Sequence, residues 1–270
     1  MVKTLKNKNC PKVSIIMPVF NVEKFVVEAI NCIKNQTFTD WELIIIEDCS
    51  TDGTRVIVEK EGEKDKRIRI LKNTKNSGIT VSLNKGLKQA GGNFIARMDG
   101  DDLCNPDRLE KQVSFLEKNP KYVLLGTCGE IIDSEGKKKG LITFPKNNFI
   151  LKLKLLEYCC FIHGSVMLRR DVFKKIPGYS SKYKYAEDYY LWLTIMKYGK
   201  IGNLAESLYS WRRNDTPSQK NTDIQRESAR QLLVEIFESK DYKFEKLLLK
   251  IIFLYRKIKQ CILKSFKSTH

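Results

Sequence analysis

Acidic side chains are in short supply in this sequence: 32 Asp and Glu stand against 49 Lys and Arg, which leaves a formal charge of +17. That surplus raises affinity for phosphates, whether of nucleic acid, anionic lipid or a nucleotide, and does not choose among them. Histidine is scarcer still, with only His163 and His270. The eight cysteines (Cys10, Cys32, Cys49, Cys104, Cys128, Cys159, Cys160 and Cys261) show no Cys-x-x-Cys spacing and have no histidine-rich companion, which argues against a zinc site or a disulfide framework. Apolar runs are short. The longest, residues 247–255, is interrupted by Lys250 and falls far below the roughly 20 residues that a membrane-spanning helix requires. Residues 1–11 carry lysines with no apolar segment behind them, so no secretory signal is visible. With free thiols, this points to the cytoplasm. No internal repeat and no low-complexity linker is present.

What remains is ample for a core. The chain has 270 residues, 42% hydrophobic and 30% charged, and is neither disordered nor fibrous in composition. An α/β fold can run to about 250 residues as one unit, so the expectation is one domain plus a C-terminal extension. Residues 13–17 form a β-rich run ending in Pro18, and beyond Asn21 the apolar positions change to helical spacing at Val26, Ile30 and Ile33. The pattern recurs: a strand over 42–47, a helix over 52–60, a short strand over 68–71, a helix over 77–90 closed by Gly91-Gly92, and a strand over 94–98. Four strands alternating with helices imply crossover connections and a parallel sheet covered on both faces. Asn105-Pro106 reads as an N-cap and first helical position before a helix with Leu109, Val113 and Leu116 on one face. Strands over 123–127 and 165–169, with a polar turn over 133–140 between them, follow.

Ligands of an open parallel sheet bind beyond the carboxyl ends of its strands. The second strand ends in Glu47-Asp48 and leads into Cys49-Ser50-Thr51-Asp52-Gly53; the fourth leads into Asp99-Gly100-Asp101-Asp102. Both acidic clusters therefore fall on one sheet edge, close to Pro18-Val19-Phe20-Asn21. Three carboxylates within four residues repel one another, an arrangement easiest to hold when a divalent cation or several hydrogen-bond donors sit among them. Asp52 as a helix N-cap and Asp102 as a turn residue are the alternative readings.

Val13 through Asn21, Glu47 through Thr54, Asn76-Ser77-Gly78, Asp99-Gly100-Asp101-Asp102 and Glu187-Asp188 resemble, in order and spacing, the motifs of family 2 glycosyltransferases with the GT-A fold. The resemblance covers about residues 12–213. It implies a Rossmann-like, mostly parallel sheet flanked by helices: a domain over 1–221, with a nucleotide-binding half at about 12–120 and an acceptor half at about 121–221, then a basic helical extension over 222–270. It also implies an inverting transferase that moves a sugar from a nucleotide diphosphate, usually UDP, to an acceptor hydroxyl with Mn²⁺ or Mg²⁺.

Further residue roles follow from the same resemblance. Pro18, Phe20 and Asn21 match the strand end that borders the nucleobase, and Asn76 and Gly78 match the next loop of the nucleotide site. Asp48 matches the acid that accepts a hydrogen bond from the uracil imide, a donor that cytosine lacks at that ring nitrogen. Asp99 matches the first acid of the DxD motif, near ribose and metal, and Asp101 the metal-binding one. Asp188, beside Glu187 at the start of a helix-like segment over 188–197, matches the general base; a favourable helix-dipole interaction is the plainer reading of that pair. Arg212 and Arg213 fall where the family has a loop closing over the phosphates. Asn214 stands where a histidine available to the metal is often found, and amide oxygen suits Mg²⁺ better than Mn²⁺. His163 falls at a position bordering acceptor or metal, with a structural histidine as the alternative. Residues 209–213 do not match the QxxRW segment of the processive members, which favours transfer of a single sugar.

From 240 to 270 nine basic residues and two acids alternate with Leu247, Ile251, Leu254, Ile258 and Ile262 on one helical stripe. A basic amphipathic helix of this kind lies on anionic lipid, here the inner face of the plasma membrane, or is a docking or dimerisation helix packed on the domain. The acceptor expected from tail and family together is a lipid-linked or surface glycan. A nucleotidyltransferase would also place acids at strand ends, yet it predicts a GxG-type phosphate loop near the first strand, and residues 18–21 offer none. A nucleic-acid-binding module would explain the charge, but the basic residues are spread over the whole chain and no such signature appears, so no nucleic-acid partner is expected.

Overall fold

A computed structural model describes residues 10–213 and 221–238 of the chain. Its first half is the expected parallel sheet. Strands β1 (Val13–Val19), β2 (Trp41–Glu47), β3 (Ile68–Lys72) and β4 (Phe94–Arg97) lie in the order β3-β2-β1-β4, with Ile15 opposite both Leu43 and Ala96. Helices α1 (Val26–Lys34), α2 (Thr54–Lys64) and α3 (Ile79–Gln89) make the crossovers. Both faces are covered, which is why β2 reads as an unbroken buried run rather than an alternating one. Successive side chains still point to opposite faces. Ile16, Ile44 and Ile46 pack with Leu83 of α3, whereas Ile15, Met17, Leu43 and Ile45 pack with Ala29, Ile30 and Ile33 of α1. Helix α3 approaches β1 closely at Gly86, where a Cβ would stand 2.6 Å from the Ile16 side chain.

The second half extends the same sheet with mixed pairing. It adds β5 (Leu103–Cys104), α4 (Arg108–Lys118), β6 (Tyr122–Ile132), β7 (Lys138–Ile142), α5 (Asn148–Leu155), β8 (Met167–Arg169), α6 (Glu187–Ile195), β9 (Lys200–Arg212) and α7 (Thr222–Glu238). Strand order continues β4-β8-β6-β9-β5, with β8 antiparallel to both neighbours and β7 hung on β6. Helix α6 brings Leu191, Trp192 and Ile195 into the core beneath α3, and Leu232 and Ile236 of α7 join the same cluster.

Several boundaries differ from expectation for identifiable reasons. Asn105-Pro106 is not the start of α4: Asn105 is tied to the neighbouring strand through its backbone N–H to the Leu208 carbonyl and its side chain to the Ser207 carbonyl, so the helix opens at Arg108. The turn after β6 closes at Lys137 on a left-handed Gly136, and Lys138 already pairs in β7. Residues 163–165 form a single 3-10 turn before β8. The tyrosine-and-arginine segment expected as a loop is the end of β9. Asn214 and the basic stripe beyond 240 lie outside the described residues. Among the described residues no helix is long and apolar enough to cross a membrane.

Candidate active site

The carboxyl ends of β1, β2 and β4 open into a cleft of about 760 Å³. Pro18, Phe20, Asp48, Asn76, Gly78, Asp99, Asp101, His163, Glu187 and Asp188, spread over 170 residues of sequence, all line it. Asn21, Arg212 and Arg213 do not.

At one end, Asp48 is buried and organises the loop before α3. Its Oδ1 accepts from the Ser77 N–H at 2.9 Å and the Asn73 side-chain amide at 2.7 Å, and its Oδ2 accepts from the Gly78 N–H at 2.8 Å. Gly78 adopts φ 83°, left-handed backbone that glycine enters without steric cost. An ionised carboxylate offers about four lone-pair positions, so one remains on Oδ2. Phe20 is 41% exposed on the cleft wall rather than buried in the core. Asn21, by contrast, sits at φ 53° and spends its side-chain oxygen on the Thr51 N–H at 2.8 Å, so it shapes the 50–52 turn.

In the middle, the three acids of the β4 loop have different environments. Asp99 Oδ1 pairs with the Arg97 guanidinium at 2.6 Å, and its backbone N–H donates to the Tyr209 hydroxyl at 3.2 Å. Asp101 lines the cleft. Asp102 is no solvent-facing turn residue: it is buried, and its two oxygens accept from the Tyr209 hydroxyl at 2.8 Å and the Arg212 N–H at 2.7 Å. Burial, followed by the charges of Asp101 and Asp99, holds its carboxyl well above the usual range.

Opposite them, α6 begins with Glu187 and Asp188. Burial pushes Glu187 up to about 7, reinforced by the charge of Asp188, and pushes Asp188 up to about 6. Asp188 accepts from the Tyr189 N–H at 2.6 Å, and the Cys159 thiol lies 3.8 Å from its other oxygen. His163 Nε2 is 3.1 Å from the Tyr179 hydroxyl, and its ring meets Trp192 edge-on. Burial and the nearby Arg97 charge hold this imidazole well below its ordinary pKa, hence neutral at pH 7.

Arg212 departs from its expected role. Its side chain is 1% exposed, with Nε donating to the Asp101 carbonyl, Nη1 to the Asp133 and Ser134 carbonyls, and Nη2 to Glu28. The guanidinium also stacks 4.7 Å from the Phe25 ring. It braces the acid loop from behind because β9 carries it inward. Arg213 is exposed and extends past the strand.

Two features escaped the sequence reading. Arg97 is a fully buried cation facing Asp99, and its charge reaches His163, Glu187 and Asp188. The available signal was a charged residue inside the apolar run Phe94-Ile95-Ala96-Arg97-Met98, since buried arginine demands a partner. The second is the wall formed by Ser181, Lys184, Tyr185 and Gln225, in which Lys184 is the one Lys or Arg lining the cleft among the described residues. Tyr185 has φ 59°, a strained conformation for a non-glycine residue that no local sequence signal announces.

Among the described residues no three of His, Cys, Asp and Glu converge on a ready-made cage. Two cleft carboxylates, Asp99 and Asp101, fit a hard cation that completes its shell with diphosphate oxygens and water, the usual arrangement for Mg²⁺.

Comparison with known proteins agrees with the family resemblance and the fold. The family model described as "Glycosyl transferase family 2" matches residues 14–177. WfgD of Escherichia coli, described as a UDP-Glc:alpha-D-GlcNAc-diphosphoundecaprenol beta-1,3-glucosyltransferase, is 36% identical over 189 residues, 70% of this chain and 71% of its own length. WbnJ of Escherichia coli, an O-antigen biosynthesis glycosyltransferase, is 33% identical over 217 residues, 77% of this chain and 82% of its own length. The crystal structure of S. aureus TarS 1-349 in complex with UDP superposes with a TM-score of 0.66 at 24% identity, covering 85% of this chain and 66% of that one. This chain thus spans just under two thirds of that structure, and the likeness is one of fold.

Proposed function

Because this chain belongs to glycosyl transferase family 2, and so is a glycosyltransferase, we propose that it moves a single sugar, with inversion, from a UDP-sugar to a hydroxyl of a lipid-linked or surface glycan. The observation that carries the reading is the convergence in one cleft of the Asp48 loop, the Asp99–Asp101 pair and the Glu187–Asp188 pair. Asp48 retains an acceptor position for the uracil imide, and Phe20 offers an exposed ring for the base to stack on. Asp101 and Asp99 would hold Mn²⁺ or Mg²⁺, which when bound neutralises charge developing on the leaving diphosphate. The names of WfgD and WbnJ support a diphosphate-lipid or O-antigen type of acceptor.

In this reading Asp188 is the base. Its carboxyl, raised to about 6, is ionised at neutral pH yet basic enough to take a proton. The acceptor oxygen attacks the anomeric carbon from the face opposite the diphosphate, its proton passes to Asp188, and the bond from carbon to the phosphate oxygen breaks to release UDP. Lys184 and Tyr185, immediately before α6, and Gln225 of α7 form the wall beside the base and would meet the acceptor or the phosphates. Arg212 acts at one remove, by fixing the Asp101 backbone. The basic segment over 240–270 supports attachment to an anionic membrane surface, which liposome flotation with and without that segment tests.

Calorimetric titration of UDP, GDP and CDP with and without Mn²⁺ tests the donor half. Metal-dependent binding selective for UDP is expected, and equal binding of all three nucleotides would remove Asp48 as the selector. Asp188→Asn should keep UDP binding and lower transfer by about 10²- to 10⁴-fold, the range for loss of a general base; retained turnover would remove Asp188 from that role.

A further inference from the structure

Two thiols far apart in sequence meet behind the acid loop. Cys32 lies in the last turns of α1 and is half-buried, while Cys104 lies in β5, buried, two residues after Asp102. Their sulfur atoms are 3.4 Å apart and share a hydrogen bond. The surroundings hold both in place. Gln36 donates from Nε2 to Cys104 Sγ at 3.4 Å and to the Cys32 and Asn105 carbonyls at 3.1 and 2.7 Å, and accepts from the Leu109 N–H at 3.0 Å. A disulfide bond is about 2.05 Å long, so closure requires an approach of about 1.3 Å between two side chains already in contact.

We propose that Cys32 and Cys104 are an oxidation site: a dithiol that a low-molecular-weight disulfide such as glutathione disulfide converts to an intramolecular bridge between α1 and β5. Cys32, half-buried where Cys104 is buried, attacks one sulfur of the oxidant and expels a glutathione thiolate; it gives up its proton against the hydrogen bond to Cys104 and the burial that push its thiol up, which makes this the slow step. Cys104 then attacks Cys32 Sγ in the mixed disulfide and expels the second glutathione. Two protein thiols are oxidised, one small disulfide is reduced to two thiols, and the two protons end on glutathione. The resolving thiol suits its part, because the hydrogen bond from Cys32 and the positive charge of Arg108 pull the Cys104 thiol down.

The bridge would close a long loop of chain, restrict the unfolded state, and fasten α1 directly to the strand that follows the Asp99–Asp102 turn. No other thiol pair approaches this closely among the described residues: Cys159 and Cys160, though adjacent in sequence, direct their sulfurs to the Phe161 and Tyr158 carbonyls.

The test equilibrates the folded full-length protein with glutathione disulfide, blocks remaining thiols, and maps peptides by mass spectrometry. Expected is a Cys32–Cys104 linked peptide, reversed by dithiothreitol, absent from Cys32→Ser, and accompanied by a higher urea midpoint of the oxidised form. Mixed disulfides at the exposed Cys10 and Cys49 alone, with Cys32 and Cys104 both still thiols, would overturn the proposal. So would a 32–104 bridge that appears only after the protein has been unfolded in urea.

Discussion

Replacing Glu187 by glutamine should stabilise this protein, and only at pH values where the glutamate is charged. Glu187 is 8% exposed at the start of α6, and burial with the adjacent Asp188 charge raises it from an ordinary 4.5 to about 7. A carboxyl with a raised folded-state pKa keeps its proton to higher pH when folded than when unfolded. Stability therefore falls as pH rises from about 4.5 to about 7, then levels off. The gap, at about 1.36 kcal/mol per pH unit, is about 3 kcal/mol, and sharing of the titration with Asp188 reduces it to about 2 kcal/mol. Glutamine mimics the protonated acid. Urea unfolding followed by tryptophan fluorescence should thus give Glu187→Gln and the parent nearly the same stability at pH 4.5, and favour the variant by about 2 kcal/mol at pH 8. Glu187 still holds its proton in the range where Asp188 titrates, so the acid limb of the kcat/KM profile, expected near 6 in the parent, should stay in place in the variant. An equal stability difference at both pH values, or a destabilised variant at pH 8, would refute the account of a buried carboxylate held against its preference.

Three further substitutions separate scaffold from site. Tyr209→Phe removes the hydroxyl that donates to buried Asp102 and accepts from the Asp99 N–H, and should lower stability by about 2–4 kcal/mol in urea unfolding. Gly164→Ala would place a Cβ 1.8 Å from the Tyr209 hydroxyl and 2.9 Å from Asp99 Oδ2, so an overpacking loss of about 1–3 kcal/mol should accompany weaker Mn²⁺-dependent UDP binding in calorimetry. Phe20→Ala, at an exposed position, should leave the urea midpoint nearly unchanged and weaken UDP binding by about 1–3 kcal/mol, the worth of a base stacked on an aromatic ring.

The parallel half was legible in the sequence because its elements are specified locally: each strand is a short apolar run, each helix has its own 3.6-residue stripe, and each junction has a polar turn. The second half was legible only in part: local runs mark β6, β8 and α6, whereas β5 and β9 are specified by distant partners. Strand β9 runs 13 residues with bulges against β6, about 80 residues earlier, and its burial follows no simple alternation. Arg212 shows the consequence. The family resemblance puts Arg212 in a loop closing over the phosphates, whereas pairing with β6 sends the guanidinium to Glu28, 184 residues away. Asp102 stays open between an acid of the cluster and a turn residue for the same reason, since its partners Tyr209 and Arg212 lie more than 100 residues downstream.

The chain's overall charge and its cleft have opposite signs, and the contrast bears on how a nucleotide diphosphate could be held. A formal +17 over the whole sequence attracts anions from a distance. Inside, Asp48, Asp99, Asp101, Asp102, Glu187 and Asp188 line the wall, against Lys184 at the rim and Arg97 already paired with Asp99. Asp102 and the Glu187–Asp188 pair relieve some repulsion through raised pKa values. A diphosphate brought beside Asp99 and Asp101 without an added cation would meet like charge in a partly dehydrated site, where such repulsion is least screened. Surface charge can thus speed the encounter while leaving the bound state unfavourable. The physical expectation is that divalent metal changes chiefly the dissociation rate of UDP, whereas added salt changes chiefly the association rate. Stopped-flow measurement of both rates, across Mn²⁺ and NaCl concentrations, reads this directly. A metal effect confined to association would mean that the cleft acids do not face the phosphates.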